Sequence, residues 1–115
     1  MRPEPLQVER VEGARPGQQI FRLRGPITLQ SLFPFQSAER ECRESSIILD
    51  VAGVTYIDSV GVGALVGAYV SRSKDGRKVA LVGAGERVKA ALVISSLAQL
   101  FPSFASVEEA QQSLP

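Results

Sequence analysis

Two short runs of this chain are apolar without interruption, and they constrain its fold more than any other feature. They occupy residues 47–49, Ile-Ile-Leu, and residues 79–82, Val-Ala-Leu-Val. Successive side chains of a strand point to opposite faces of a sheet, so an unbroken apolar run predicts a strand that is covered on both faces. Parallel strands are covered in this way because helices form the connections between them. The two runs therefore predict an α/β fold with a parallel sheet.

In the N-terminal part of the chain, apolar and polar residues alternate instead. Leu6 and Val8, and later Phe21 and Leu23, alternate with polar residues, which predicts two strands with one face in water. Residues 13–18 hold glycine and proline between these strands. The two strands are therefore predicted to form an antiparallel hairpin with a longer loop.

Helical patterns separate the strands. Apolar residues at helical spacing predict one helix from Leu32 to Cys42 and a second that ends before Gly76. A third helix is predicted to begin near Glu86, and a fourth after Ser106, whose hydroxyl suits a helix cap.

The order of the elements predicts the architecture. Residues 101–104 are a candidate edge strand, because Pro102 cannot donate a hydrogen bond within a central ladder. The chain, residues 1–115, is predicted to be a single domain. Its mixed sheet begins with the antiparallel hairpin, continues in parallel βαβ units from the third strand onward, and is backed by about four helices.

The composition removes several classes of function from consideration. The chain has no His and one Cys, so it lacks the usual base for a serine or cysteine nucleophile and the commonest metal ligand. Its net charge of +1 predicts no basic surface for nucleic acid. Hydrolase and zinc-dependent functions are therefore disfavoured, and we expect no metal, no cofactor and no nucleic-acid partner.

Nothing in the sequence predicts export or membrane insertion. The first residues carry charge and proline and are not followed by an apolar signal segment. The longest apolar run, residues 60–70, is shorter than the roughly 18 residues that a spanning helix needs. A single Cys cannot form a disulfide within the chain. We expect a cytoplasmic protein.

The most informative segment joins the first apolar strand to the second helix. It contains Asp58 and Ser59, followed by Gly61 and Gly63. The first turn of a helix has free backbone N–H groups and a partial positive charge, so Asp58 or Ser59 can cap it, and an added anion would be stabilised there. The glycines would let another backbone or a partner surface approach closely. An ordinary cap with close packing of helix and sheet explains the same residues without a function.

Three phosphate-binding arrangements do not fit this segment. The spacing Gly61-x-Gly63-x-x-x-Gly67 is not that of a dinucleotide fingerprint, and no acidic residue ends the next strand. The P-loop sequences Gly-Lys-Ser and Gly-Lys-Thr do not occur. A receiver-type aspartate site needs clustered carboxylates, and only Asp50 and Asp58 are available. A domain that binds a small ligand or nucleotide is therefore the least favoured interpretation of this segment.

The segment and its surroundings resemble the STAS domain family of bacterial anti-sigma factor antagonists and related regulatory modules. Residues 56–63, Tyr-Ile-Asp-Ser-Val-Gly-Val-Gly, are similar to the family signature hydrophobic-Asp-Ser-(Ser/Thr)-Gly-hydrophobic-Gly. Residues 78–82, 87–92 and 100–110 are similar to later parts of the family pattern. The resemblance implies the family's fold, a mixed sheet backed by helices.

The resemblance also implies a regulatory protein-binding module in the control of transcription, and not an enzyme. In the family, a Ser or Thr at the start of the second helix is phosphorylated by an anti-sigma factor that is itself a serine kinase, and a phosphatase removes the phosphate. The unphosphorylated form binds the kinase and frees the sigma factor. A phosphate adds about −1.5 to −2 charges, so it can abolish docking without refolding the domain. The implied partner-binding residues are Asp58, Ser59, Val60, Gly61, Val62 and Gly63, with Thr28 from the loop after the second strand.

The chain departs from the family pattern at the phosphate-accepting position. The usual acceptor stands directly before the first glycine, where this chain has Val60, which cannot be phosphorylated. Three interpretations stay open: Ser59 is a displaced phosphorylation site, the domain binds its partner without a switch, or it belongs to a divergent branch with another partner. One such branch is the STAS subunit on the ATPase of bacterial lipid-transport ABC complexes. An apolar Val60 suits a permanent contact of that kind.

Overall fold

The computed structural model describes residues 4–94 and 102–114. Within these residues, five strands form one mixed sheet in the order β1-β2-β3-β4-β5. Their bounds are Gln7–Glu12 (β1), Gln18–Ile27 (β2), Ser46–Ile57 (β3), Lys78–Val82 (β4) and Ser103–Phe104 (β5). β1 and β2 are antiparallel and the other neighbouring strands are parallel, which confirms the predicted fold class.

Four helices occur in the described residues, each where the sequence predicts one. They are Phe33–Glu41 (α1), Ser59–Lys74 (α2), Glu86–Ile94 (α3) and Val107–Ser113 (α4). Pro34 lies in the first turn of α1, where its missing N–H is harmless. Gly76 follows α2 with a positive φ of 73°, a conformation that glycine adopts readily. Ser106 caps α4 by accepting a hydrogen bond from the N–H of Glu109, at 3.2 Å.

The two faces of the sheet are covered by different helices. α1, α2 and α3 cover one face and α4 covers the other. Ile47 and Leu49 of β3 are buried beneath the three helices, whereas Ile48 is buried against α4. The unbroken apolar run is therefore explained by coverage on both faces, as predicted.

The parallel part of the sheet begins one strand earlier than the sequence pattern predicts. β2 pairs with β1 on one side and runs parallel to β3 on the other, so the first βαβ unit is formed by β2, α1 and β3. The alternating pattern of β2 has a physical reason, because Ile20 lies in the core beneath α4 while Arg22, two residues further on, is partly exposed.

At the other edge of the sheet, β5 confirms the predicted edge strand, although Phe101 lies outside the described residues.

A buried glutamine attaches the end of α4 to the start of β2. The Gln18 side chain donates hydrogen bonds from Nε2 to the carbonyl oxygens of Gln111, at 2.8 Å, and Leu114, at 3.2 Å. Arg15 donates to the same Leu114 carbonyl from Nη1, at 3.0 Å. These bonds satisfy carbonyl groups that the last turn of a helix leaves free.

A buried arginine connects the C-terminal ends of α1 and α2. Arg72 is 3% exposed, and its guanidinium donates from Nη1 to the carbonyl oxygen of Cys42, at 3.1 Å, and from Nη2 to that of Glu44. Burial is the largest cause that lowers the pKa of Arg72 below its ordinary value. Cys42 is itself buried.

Candidate functional site

The segment that the sequence pattern singles out lies at the carboxyl end of the parallel strands. β2 and β3 end as neighbours, with Ile27 opposite Ile57. Thr28 and Asp58 follow these two residues, so their backbones lie side by side. The N–H of Asp58 donates to the carbonyl oxygen of Ile27, at 3.3 Å. The start of α2 and the loop between β2 and α1 therefore form one continuous surface.

Asp58 connects these two segments through its carboxylate. Oδ1 accepts a hydrogen bond from the N–H of Gly61, at 2.8 Å, and so caps α2. Oδ2 accepts one from the N–H of Leu29 in the loop between β2 and α1, at 3.3 Å. The sequence left the cap open between Asp58 and Ser59, and the structure assigns it to Asp58. With both oxygens bonded to backbone, this side chain positions the two segments relative to each other.

The two glycines of the motif have different surroundings. A Cβ added at Gly61 would lie 2.0 Å from the carbonyl oxygen of Ile27 and 2.9 Å from Cγ1 of Ile57. Glycine therefore lets α2 approach the end of β2 closely. A Cβ added at Gly63 would meet nothing within 4 Å. The close approach that the sequence predicts for both glycines is thus present, within the described residues, at Gly61.

Ser59 and Val60 project from the first turn of α2 into solvent. Ser59 is exposed, and no other residue described in the structure makes a hydrogen bond with its hydroxyl. Val60 is 41% exposed. A hydroxyl at this position lies beside the partial positive charge of the helix N-terminus. The turn thus presents one accessible hydroxyl next to one accessible apolar side chain.

The residues implied as partner-binding divide into buried and exposed groups. Gly61 and Val62 are buried, so they place the turn without presenting side chains to solvent. Thr28 is half-buried, and its Oγ1 lies 3.1 Å from Oγ of Ser31, within hydrogen-bond distance. Asp58 is also half-buried. The exposed residues of the set are Ser59, Val60 and Gly63.

Two exposed apolar residues, in and just after the loop between β2 and α1, were missed in the sequence. Leu29, whose N–H binds Asp58, is 70% exposed, and Phe33 at the start of α1 is 69% exposed. We call the surface formed by Leu29, Phe33, Ser59 and Val60 the loop face. A signal for it is present in the sequence, because residues 25–38 carry no charge and residues 51–71 carry only that of Asp58. The loop face can make apolar contacts around a single free hydroxyl.

In residues 4–94 and 102–114, no group of three or more His, Cys, Asp or Glu side chains is placed to hold a metal ion. No helix in the same residues is long and apolar enough to cross a membrane.

Comparison with known proteins identifies relatives of this arrangement. The family model of the STAS domain matches residues 6–110. A solved anti-sigma factor antagonist from Mycobacterium paratuberculosis is 16% identical, with a TM-score of 0.83 over 95% of this chain and 93% of that one. The Bacillus cell fate determinant SpoIIAA in its phosphorylated form is 16% identical, with a TM-score of 0.67 over 93% of this chain and 97% of that one.

A third structure comes from a different functional context. It is a sulfate transporter family protein from Wolinella succinogenes, 22% identical, with a TM-score of 0.69 over 89% of this chain and 86% of that one. No curated protein is similar enough in sequence to count as a match. At these identities the solved structures establish a common fold.

Proposed function

The chain belongs to the STAS domain family, and from this premise we propose that it is a regulatory protein-binding module of the anti-sigma factor antagonist kind. It docks on a serine-kinase anti-sigma factor through the loop face, in the cytoplasm of a bacterium, and so controls transcription. The observation that carries this proposal is that Ser59 and Val60 are exposed beside the loop that carries exposed Leu29, with exposed Phe33 at the start of the helix that follows this loop. The centres of protein interfaces are depleted in charge, and this surface has little.

The module acts by binding and not by catalysis. The chain has no His, and the carboxylate at the centre of the site, that of Asp58, is bonded to two backbone N–H groups. These bonds give Asp58 a positioning role. A protein that a partner's kinase phosphorylates needs no catalytic group of its own.

Ser59 is the proposed phosphorylation site. Its hydroxyl is exposed at the start of α2, in the position next to the family's usual acceptor, which is Val60 here. A phosphate there would add about −1.5 to −2 charges to an otherwise apolar surface. Docking would then require a charged group to be buried against the partner, which is unfavourable. Phosphorylation would release the partner, and a phosphatase would restore binding.

Phosphorylation can be tested with purified proteins. The chain is incubated with ATP and an anti-sigma factor kinase from the same bacterium, and the phosphate is located by mass spectrometry. We expect it on Ser59, lost in Ser59→Ala and retained in Ser71→Ala, which removes another exposed hydroxyl of α2. Val60→Ser should be phosphorylated faster than the native chain. Undiminished phosphorylation of Ser59→Ala would overturn this assignment.

Docking can be tested separately by calorimetry with the same anti-sigma factor. Leu29→Asp and Phe33→Asp should each weaken binding by about 30-fold, because each places a charge within a desolvated contact. Val70→Asp is the matched control, since Val70 is an exposed valine near the other end of α2. If Val70→Asp weakens binding as much as the other two variants, the contact surface is not the loop face.

The second candidate is a STAS subunit that stays bound to an ABC-type ATPase. The exposure of apolar Val60 favours it, because a valine suits a contact that is not gated by phosphate. In this case the chain co-purifies with the ATPase from native cells, and Ser59 carries no phosphate. Co-purification with an anti-sigma factor kinase would exclude this candidate, and recovery of neither partner would contradict both.

A further inference from the structure

A cavity between the C-terminal ends of α1 and α2 concentrates positive charge. Its volume is about 230 Å³. It lies at the opposite ends of these two helices from the loop face. The charged residues that line it are four arginines, Arg40, Arg43, Arg72 and Arg77, and two carboxylates, Glu39 and Asp75. The formal charge of the lining is therefore positive.

The arginines of this cavity are not neutralised by ion pairs. In the described part of the chain, the ion pairs join Arg10 to Glu41 and Arg22 to Glu9. No carboxylate oxygen described lies within 4.0 Å of a guanidinium nitrogen of the four lining arginines. Guanidinium groups that line one cavity without a bridging anion repel one another.

One of these arginines is bonded to backbone at the C-terminal end of α1. Arg72 donates to the two carbonyl groups that follow α1, as expected beside the negative end of a helix dipole. Arg40, Arg43 and Arg77 make no side-chain hydrogen bond to any residue described in the structure. Their guanidinium groups are available to a ligand.

The most buried of the four arginines also has an unsatisfied donor. Arg72 Nε is buried and has no hydrogen-bond partner, and no other buried side-chain nitrogen or oxygen in the described residues is in this state. A buried donor without an acceptor destabilises the folded protein, and an ion that binds there is one of the common explanations. The electrostatics agree, because Arg77 adds to burial in lowering the pKa of Arg72, against the opposing effects of Cys42 and Glu39.

We propose that this cavity binds a phosphate group, either as inorganic phosphate or as a phosphomonoester. The planar guanidinium fork matches phosphate oxygens with paired hydrogen bonds. A phosphate would supply the negative charge that the lining lacks and an acceptor for the guanidinium groups of Arg40, Arg43 and Arg77, whose side chains bond to no described residue. The site is separate from the loop face and does not depend on the function proposed for that face.

Calorimetry with inorganic phosphate, at constant ionic strength set with chloride, tests the proposal. We expect saturable binding with one site per chain. Arg43→Gln and Arg77→Gln should each weaken it by about tenfold, because each removes a charge-assisted hydrogen bond. Arg43 is exposed and Arg77 half-buried, so both variants should fold, which circular dichroism checks. The matched control is Arg87→Gln, which removes the same charge from the exposed face of α3 and should bind phosphate as the native chain does.

A second readout and a second ligand complete the test. Cys42 also lines the cavity and is the chain's one thiol. Because it is buried, its alkylation requires local opening, and bound phosphate should slow this reaction at about tenfold lower phosphate concentration in the native chain than in Arg77→Gln. O-phosphoserine binding tenfold more tightly than inorganic phosphate would support the site and identify a phosphomonoester as its ligand. Equal affinities would support it with free phosphate as the ligand. No saturable binding of either, or an equal loss in Arg87→Gln, would overturn the proposal.

Discussion

Asp58 determines more of the local geometry than its neighbours do, because its carboxylate is bonded to two segments at once. One bond caps a helix, and the other holds the loop that carries Leu29. Neither oxygen is directed at a substrate. At the scale of single residues, the role of Asp58 is therefore to hold the turn in which Ser59 and Val60 are exposed to solvent.

Replacement of Asp58 tests this role. Asp58→Ala removes the helix cap and the bond to Leu29 and should lower the free energy of unfolding by about 1–2 kcal/mol. Asp58→Asn keeps one oxygen that can accept from Gly61, so its loss should be smaller. Urea unfolding of both variants measures the difference. Equal losses for Ala and Asn would contradict a capping role for Oδ1.

Replacement by alanine is expected to change the free energy of unfolding in opposite directions at the two motif glycines. Gly61→Ala places a methyl group 2.0 Å from the carbonyl oxygen of Ile27, so α2 must shift, and the free energy of unfolding should fall by about 1–3 kcal/mol. Gly63→Ala meets open space and should raise it by up to about 1 kcal/mol through helix propensity. Urea unfolding distinguishes the two, and a stabilising Gly61→Ala would refute the close contact.

At the scale of elements, the helices and strands follow from local patterns in the chain. Period-two alternation, helical spacing and the caps at Gly76 and Ser106 all depend on residues close in sequence, and the structure bears them out. The parallel pairing of β2 with β3 was not predictable in the same way. The alternation of β2 depends on how far the short α4 extends over the sheet, and the sequence of β2 holds no information about that.

The attachment of α4 gives a prediction at this scale. Gln18→Leu removes the donor to the carbonyls of Gln111 and Leu114 and leaves both acceptors without it. We expect a loss of about 1–3 kcal/mol in the free energy of unfolding, with faster amide hydrogen exchange in α4. Gln19→Leu is the matched control, because Gln19 is partly exposed and accepts an exposed hydrogen bond from Arg10. Equal exchange in α4 for the two variants would show that Gln18 does not anchor the helix.

At the scale of the whole molecule, charge differs between the two ends of the helical layer. The end that carries the loop face is built from residues 25–38, which carry no charge, and from residues 58–71, of which Asp58 alone is charged. The other end is built from residues 39–44 and 72–78, which are rich in both signs of charge. The two proposed sites therefore have opposite chemistry, one apolar and one cationic.

This asymmetry predicts opposite responses to salt. Between about 0.1 M and about 0.5 M salt, the affinity of the loop face for an anti-sigma factor should change by less than about threefold, because few charges are screened there. Phosphate affinity at the arginine cavity should fall markedly over the same range. Calorimetry at the two salt concentrations measures both. A partner affinity that fell tenfold would show that ionic contacts dominate that interface.

The sequence by itself determined the fold class, the order of the elements and the position of the Asp58-Ser59 turn, because periodicity, caps and short motifs arise from neighbouring residues. It also indicated that Val60 stands where a hydroxyl would be expected. Only the tertiary structure decided that Leu29 lies exposed beside that turn, that Gly61 and not Gly63 makes the close contact, and that Arg72 is buried with a free Nε. These properties depend on which strands pair and which helix ends meet, and they join residues about 30 positions apart.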